Sequence, residues 1–201
     1  MTTPAISVIA AKLGAPLSAG QAGLLLRFES LLSERALSLG LIAATDADRI
    51  HERHVLDSLR SVAVLSAERD AYDLGSGAGL PGIVVAIARP DLRMCLVESR
   101  SIRAAFLEYA CEALELANVT VITGRIEKLF EPVDVCFARA LTSLSRSWSM
   151  ARPLLRHQGR LVYFAGRAPT VGEIPANAAA SLVPSPPVLE SSGPLVIMTR
   201  Q

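Results

Sequence analysis

The chain has 201 residues, 51% of them hydrophobic, enough to bury one well-formed core and short for two. A single domain over 1–201 is expected, with helices in 1–69 and an α/β core in 70–201. There is no basic-plus-apolar leader, and no apolar run approaches the roughly 18 residues of a membrane span, so a soluble, cytoplasmic chain is expected and a membrane partner excluded. Net charge is only +1, yet residues 137–201 carry seven basic side chains against two acidic ones. Six arginines (Arg139, Arg146, Arg152, Arg156, Arg160, Arg167) fall in a stretch without a single acid. Two readings are open, a polyanionic partner such as nucleic acid and a merely solvated basic surface. Cys95, Cys111 and Cys136 form no CxxC pair, which predicts buried thiols and no metal site.

Residues 21–39 place Leu24, Phe28, Leu31 and Leu32 on one helical face, and a second helix over about 46–65 follows a capping-box pattern at Thr45 and Asp48. A strand at 71–74 leads into a helix over about 80–88, ended by Pro90. Next come a strand at 93–98 and a helix over about 101–116 with Ile102, Phe106, Ala110 and Leu114 on one face. Strands at 119–123 and 133–138, a helix across 143–157 and a strand at 160–165 follow. The tail from 169 holds six of the twelve prolines and reads as loops around short strands near 187–190 and 194–199. Within it, Ser185-Pro186-Pro187-Val188 is read as a loop. The βαβ alternation predicts a parallel sheet covered by helices on both faces, with ligands bound at the carboxyl ends of the strands.

The densest signal is Asp73-Leu74-Gly75-Ser76-Gly77-Ala78-Gly79-Leu80-Pro81-Gly82 at the end of the first predicted strand. Alternate glycines let the backbone turn sharply and approach a ligand, and the helix that follows turns its positive end toward it. Pro81 suits the first helical turn. The stretch also contains GxGxxG, with Glu98 at dinucleotide spacing. Asp73 separates the two ligands: a carboxylate near the turn repels a pyrophosphate and attracts the ammonium and sulfonium of S-adenosylmethionine. A glycine-rich turn kept for packing alone is the third reading. Glu98, closing the second strand, is placed to accept hydrogen bonds from both ribose hydroxyls of an adenosyl group. Gly124-Arg125-Ile126-Glu127 should lie beside the adenine, with Ile126 over its face. The expected fold is a class I S-adenosylmethionine methyltransferase, Rossmann-like, with an N-terminal helical extension.

Arg53-His54-Val55-Leu56-Asp57-Ser58 ahead of the glycine stretch, then Gly124 to Glu127, then Ala138-Arg139-Ala140, resembles the RsmG family, also called GidB. Phe106 and Gly159-Arg160-Leu161 fit the same pattern, and the likeness runs over about 20–201. The resemblance implies a bacterial enzyme that methylates guanine N7 in the helix-18 loop of 16S ribosomal RNA, with the RNA or the small ribosomal subunit as partner. It assigns cofactor binding to Gly75, Leu80, Ile126, Glu127 and Arg139, to which the residues themselves add Asp73, Gly77, Gly79 and Glu98. Three segments depart from the pattern. Leu39 to Thr45 lacks the family's Trp-Asn and Asn-Leu-Thr. Phe164-Ala165-Gly166 has Ala165 in place of a lysine, with Arg167 near enough to cover its charge. Ser191-Ser192-Gly193-Pro194 lacks a basic residue.

Guanine N7 carries a lone pair and no proton, so no general base is needed and no catalytic residue is assigned. Arg139 is the first candidate to read the guanine edge, although service to the cofactor alone is the other reading. His54 and Asp57, one helical turn apart, either face the cleft or form a packing pair. Arg146 and Trp148 are candidates to hold a flipped base, with core packing the alternative for the tryptophan. Cys136 lies inside a strand with no preceding proline, which argues against a thiolate attack on cytosine. The rival functions are an NAD-dependent oxidoreductase, a small-molecule methyltransferase and a non-catalytic adenosyl-binding module. A monomer is expected.

Overall fold

The computed structural model describes residues 2–170, 173–189 and 192–201. Helix α1 (Thr3–Lys12) was not signalled by periodicity, since alanines dilute it and only Ile6 and Ala10 are buried. Helix α2 (Ala19–Leu31) opens on a true capping box: Ser18 accepts from the Gln21 backbone and Gln21 from that of Ser18. Its buried stripe is Ala22, Leu25 and Phe28, continued by Leu32 in a π-helical turn, Leu32–Ala36. Gln21 also donates to the carbonyls of Ile87 and Ala88, both at 3.0 Å, so one side chain starts α2 and finishes a neighbouring helix.

The segment 44–64 is not the single helix its pattern predicts. It runs as a 3₁₀ turn (Ala44–Arg49), a π-helical stretch (Ile50–Leu56), one α-turn α3 (Asp57–Leu59) and a second 3₁₀ turn (Arg60–Val64). Its N-cap is Ala43 with no side-chain bond, so the Thr45–Asp48 box does not form. Irregular winding of this kind often marks positions held by tertiary bonds.

Strands β1 (Asp70–Leu74), β2 (Arg93–Glu98), β3 (Val119–Thr123), β4 (Val133–Arg139) and β5 (Leu155–Phe164) run parallel. Helix α4 (Gly82–Ala88) follows β1, α5 (Ser101–Ala113) follows β2 and α6 (Leu144–Ala151) follows β4. The predicted helix to 157 stops at Ala151, because Pro153 lies in a 3₁₀ turn and Leu155 already pairs with Val133. On α5 the buried residues are Ala104, Phe106, Leu107 and Ala110, while Ile102 is 65% exposed, so the face is rotated from the expected one.

The sheet is parallel only in part. Strand β7 (Leu195–Thr199) is antiparallel to β5, and β6 (Ala179–Val183) is antiparallel to β7 at the edge. The strand expected near 187–190 is thus replaced by β6: residues 187–189 belong to a turn and loop, and residue 190 lies outside the described set. Strand order is β3-β2-β1-β4-β5-β7-β6, which reverses between β1 and β4.

Alternation along the strands sorts two cores. Ala71, Val135, Phe137, Val162 and Ile197 face α4, α5 and the N-terminal helices, packed with Ile6, Leu25, Phe28, Val55 and Leu59. Tyr72, Leu74, Cys136, Ala138 and Leu161 face the α6 side, packed with Trp148 and Ala151. Among the described residues no helix is long and apolar enough to cross a membrane.

Ser18→Ala should lower the unfolding free energy by about 1 kcal/mol, measured by urea denaturation. Gln21→Ala should cost more, since it also strips the carboxyl end of α4; equal losses would show that the Gln21 bonds to α4 carry no weight.

Candidate active site

The glycine turn sits at the carboxyl end of β1, beside the reversal in strand order. Gly75, Gly77 and Gly79 have φ of +73°, +57° and +86°, the left-handed region that side chains rarely occupy. Val97 accepts from the Gly75 and Ser76 amides at 2.9 and 3.0 Å, and the Ser76 hydroxyl donates to the Asp73 carbonyl at 2.9 Å. A Cβ on Gly77 would meet no atom closer than the Gly75 oxygen at 3.9 Å, and Gly77 lines a cavity. Packing therefore does not explain this glycine.

Both carboxylates expected at the ligand are built into the turn. Asp73 is 1% exposed and accepts from the Gly82 amide at 3.0 Å; a Cβ at Gly82 would stand 2.6 Å from the same oxygen. Burial pushes its carboxyl up to about 7, opposed by the Gly82 hydrogen bond. Asp73 thus lies beneath the turn and off the cavity wall, so its attraction for a cation acts through the turn and not by contact. Glu98, also buried, accepts from the Gly77 amide at 3.1 Å and the Arg100 amide at 2.9 Å, with Arg103 3.8 Å away.

The cavity is about 690 Å³ and spans the carboxyl ends of β1, β4 and β5. Its wall runs from Gly75 to Ala78 and Leu80, past Arg139, to Phe164, Ala165 and Gly193, while Gly79 faces Ile83 and Leu107 instead; the irregular segment closes it with Asp46, His54, Asp57 and Arg60.

Arg139 is the hub of that closure. Its Nη2 donates to the Arg53 carbonyl at 2.6 Å and meets His54 Nδ1 at 3.2 Å; its Nη1 reaches the His54 carbonyl at 3.4 Å and the Ser58 hydroxyl at 3.3 Å. Asp57 lies 3.4 Å from Nη2. The Arg-His-x-Leu-Asp-Ser motif is therefore a clamp for one guanidinium, and both its terminal nitrogens are committed. That removes Arg139 as the free reader of a base edge. His54 and Asp57 do both line the cavity, and they are at the same time each other's neighbours through Arg139.

His54 Nδ1 accepts from a guanidinium, so the ring is neutral with its proton on Nε2, 3.4 Å from Asp46. Burial, helped by Arg139 and opposed by Asp46, lowers its pKa to about 4.

Other expected site residues fall elsewhere. Ile126 is buried in the α6-side core and not over the cavity, while Glu127 is exposed in the same 3₁₀ turn, Ile126–Lys128. That turn is tied to β2 by the Gly124 amide donating to the Glu98 carbonyl at 2.9 Å. Trp148 is 1% exposed and donates to Asn177 at 3.0 Å; it is a core residue and cannot stack on a base. Arg146 is exposed on α6 and does not line the cavity.

The arginine run does not form one surface. Arg156 pairs with Asp134 at 2.6 Å and Asp70 at 2.9 Å, and Arg160 pairs with Glu68, all at the opposite end of the sheet. Arg167 pairs with Glu173 at 2.7 Å and does not cover the charge missing at Ala165. The cavity is lined by four arginines, Arg53, Arg60, Arg103 and Arg139, of which the sequence reading missed Arg60 and Arg103 as site residues, as it missed Tyr163. Only the three-residue step from Asp57 to Arg60 hinted at Arg60. Among the described residues no group of three His, Cys, Asp or Glu side chains is placed to hold a metal. The thiols of Cys95 and Cys111 are pushed up to about 11 by burial, and that of Cys136 further.

Residues 21–182 match the family GidB, rRNA small subunit methyltransferase G. The chain belongs to this family. A ribosomal RNA small subunit methyltransferase G from Thermobifida fusca is 39% identical over 142 residues, 70% of this chain and 60% of the relative. One from Methylococcus capsulatus is 37% identical over 175 residues, 85% of each. The chain spans about 60% of the length of the first of these curated relatives. An O-methyltransferase from Bacillus cereus in complex with SAH superposes with a TM-score of 0.58 at 14% identity, over 98% of this chain and 97% of that one. The fold is that of class I methyltransferases, as expected from the strand and glycine pattern.

The two shifted groups give opposite pH dependences. Between about 4 and 6.5 the unfolded chain binds a proton at His54 that the folded chain does not, so this contribution to stability grows as pH rises and is lost as it falls. Between 3.8 and about 7 the folded chain holds a proton on Asp73 that the unfolded chain releases, so this contribution shrinks as pH rises. Asp73→Asn should therefore gain stability more steeply than the wild type from pH 4 to 6.5 in denaturation series, and parallel curves would show that Asp73 is ionised throughout.

Proposed function

We propose that the chain transfers the methyl group of S-adenosylmethionine to N7 of a guanine in the helix-18 loop of 16S ribosomal RNA, acting on the RNA or the small ribosomal subunit in the cytoplasm. The observation that carries this reading is the meeting of two motifs at one cavity: Gly75 to Ala78 and Leu80 of the glycine turn, and Arg53, His54 and Asp57 of the Arg-His-x-Leu-Asp-Ser segment, both wall it, with residues 59–74 between them in the chain. The family and the printed names of the relatives point the same way.

The residues fit such a cofactor. Gly77 keeps open the space a side chain would take. Gly75, Gly79 and Leu80 hold the turn, and Glu98, whose carboxylate holds the Gly77 amide, is the proposed acceptor for the ribose hydroxyls, while Ile126 and Glu127 lie off the cavity. Asp73 in its ionised form sets a negative potential beneath the turn, and Arg139 fixes the end of β4 against which the cofactor lies. When bound, S-adenosylmethionine supplies a methyl group made electrophilic by its sulfonium.

The protein's part is to position and to exclude water. His54 is neutral and committed to Arg139, so no base is assigned, in keeping with a nucleophile that has no proton to lose. Arg146 and Arg152 stand exposed on and just after α6, where an RNA backbone can be met.

Incubation of the protein with labelled S-adenosylmethionine and small subunits lacking N7-methylguanosine should yield that nucleoside in the helix-18 loop by mass spectrometry. No transfer to subunits or to free RNA, with the cofactor still bound, would sink this reading. Gly77→Ala should weaken cofactor binding at least roughly tenfold by calorimetry, since it adds left-handed strain and fills the cavity. Unchanged affinity would place the cofactor elsewhere.

A further inference from the structure

Arg60 is a charged side chain inside the protein, 4% exposed. Its Nε donates to Asp57 at 2.8 Å, its Nη2 to the Gly193 carbonyl at 2.8 Å, and its guanidinium lies 5.6 Å from the centre of the Phe164 ring. Its Nη1 is buried and has no hydrogen-bond partner among the described residues. An unpaired donor on a buried cation is costly, and a guanidinium pinned at two of its three nitrogens cannot turn away to find water. Arg60 lies on the wall of the 690 Å³ cavity, so the unpaired donor belongs to a group that borders the proposed active site.

Its place across the sheet says which half of the cavity it serves. The glycine turn and Glu98 end β1 and β2. Phe164 ends β5 and Gly193 leads into β7, so β4 stands between Arg60 and the turn. If the cofactor occupies the β1–β2 side, the methyl acceptor lies over β4 and β5, beside Arg60. Arg139 and Arg53 line that side as well, but the terminal nitrogens of Arg139 are committed to the clamp and Arg53 Nη1 donates to Asp46 at 2.9 Å.

We propose that Arg60 recognises the methyl acceptor, with its Nη1–H donating to guanine O6; this rests on the function proposed above. O6 neighbours N7 on the same edge of the base, so this bond holds the guanine while leaving the N7 lone pair free to attack. Adenine carries an amino group at that place, which sets a donor against a donor. Arg60 thereby selects guanine as well as positioning it. The Asp57 and Gly193 bonds fix the fork before the base arrives.

The test compares full-length wild type with Arg60→Met and Arg60→Lys, neither of which keeps the guanidinium fork. Three quantities are read: the Kd for S-adenosylmethionine by calorimetry, kcat/KM for methyl transfer to unmethylated small subunits, and the Kd for 16S RNA of the protein loaded with S-adenosylhomocysteine. Cofactor affinity should stay within about twofold, while kcat/KM falls roughly 10- to 100-fold in both variants and RNA binding weakens.

A loss of cofactor affinity that matches the loss of transfer would overturn the proposal and assign Arg60 to the cofactor. Unchanged transfer and RNA binding would overturn it too. Should Arg60→Met fail to fold, as judged by its thermal transition, Arg60→Lys decides alone, because it retains a cation for Asp57. A wild type that transfers no methyl to the subunit removes the functional reading, and the RNA-binding comparison then decides whether Arg60 meets RNA.

Discussion

One largely enclosed guanidinium sets the shape of the cavity. Arg139 ends β4, inside the sheet, and every acceptor that satisfies its terminal nitrogens comes from residues 53–58. A guanidinium whose side chain is only 15% exposed needs partners to offset its lost hydration, so the segment that supplies them is held at the carboxyl ends of the strands. The backbone carbonyls of Arg53 and His54 that receive it belong to the π-helical stretch Ile50–Leu56, and the His54 carbonyl also accepts from the Asp57 amide and the Ser58 hydroxyl. The irregular winding and the enclosed charge thus meet in these bonds.

The same economy appears in the glycine turn. Asp73 and Glu98 each accept a backbone amide from the loop they flank, so the turn is shaped by the two carboxylates whose field it presents to the cavity. Because Glu98 holds the Gly77 amide, its other oxygen and its neighbours set what it can offer a ligand without letting the loop collapse. Asp73, pushed toward neutral pH by burial, adds a charge that follows the electrostatics of the cavity above it.

Much of this was legible in the sequence wherever the signal was local. The strands β1 to β5, the glycine turn and the Arg-His-x-Leu-Asp-Ser motif announce themselves by alternation or by residue types at fixed spacing. What escaped depends on tertiary partners. Helix α1 is too rich in alanine to show a face. Segment 44–64 reads as one amphipathic helix because its pattern says nothing of the clamp that distorts it. Six clustered arginines look like a surface until Asp70, Asp134 and Glu68 are seen to gather two of them at the far end of the sheet. Trp148 sits near an exposed arginine in sequence, yet helix geometry turns it inward. Edge strand β6 has mostly exposed residues and hence no apolar alternation to detect.

Gln21 gives the N-terminal helices a mechanical role. Helix α4 has seven residues, a rod of roughly 10 Å, with the glycine turn at one end and the two carbonyls capped by Gln21 at the other. The start of α2 therefore acts as an anchor for the far end of the rod whose near end shapes the turn. A chain shortened past that anchor would keep every residue of the glycine motif and still lose the tether that aims it.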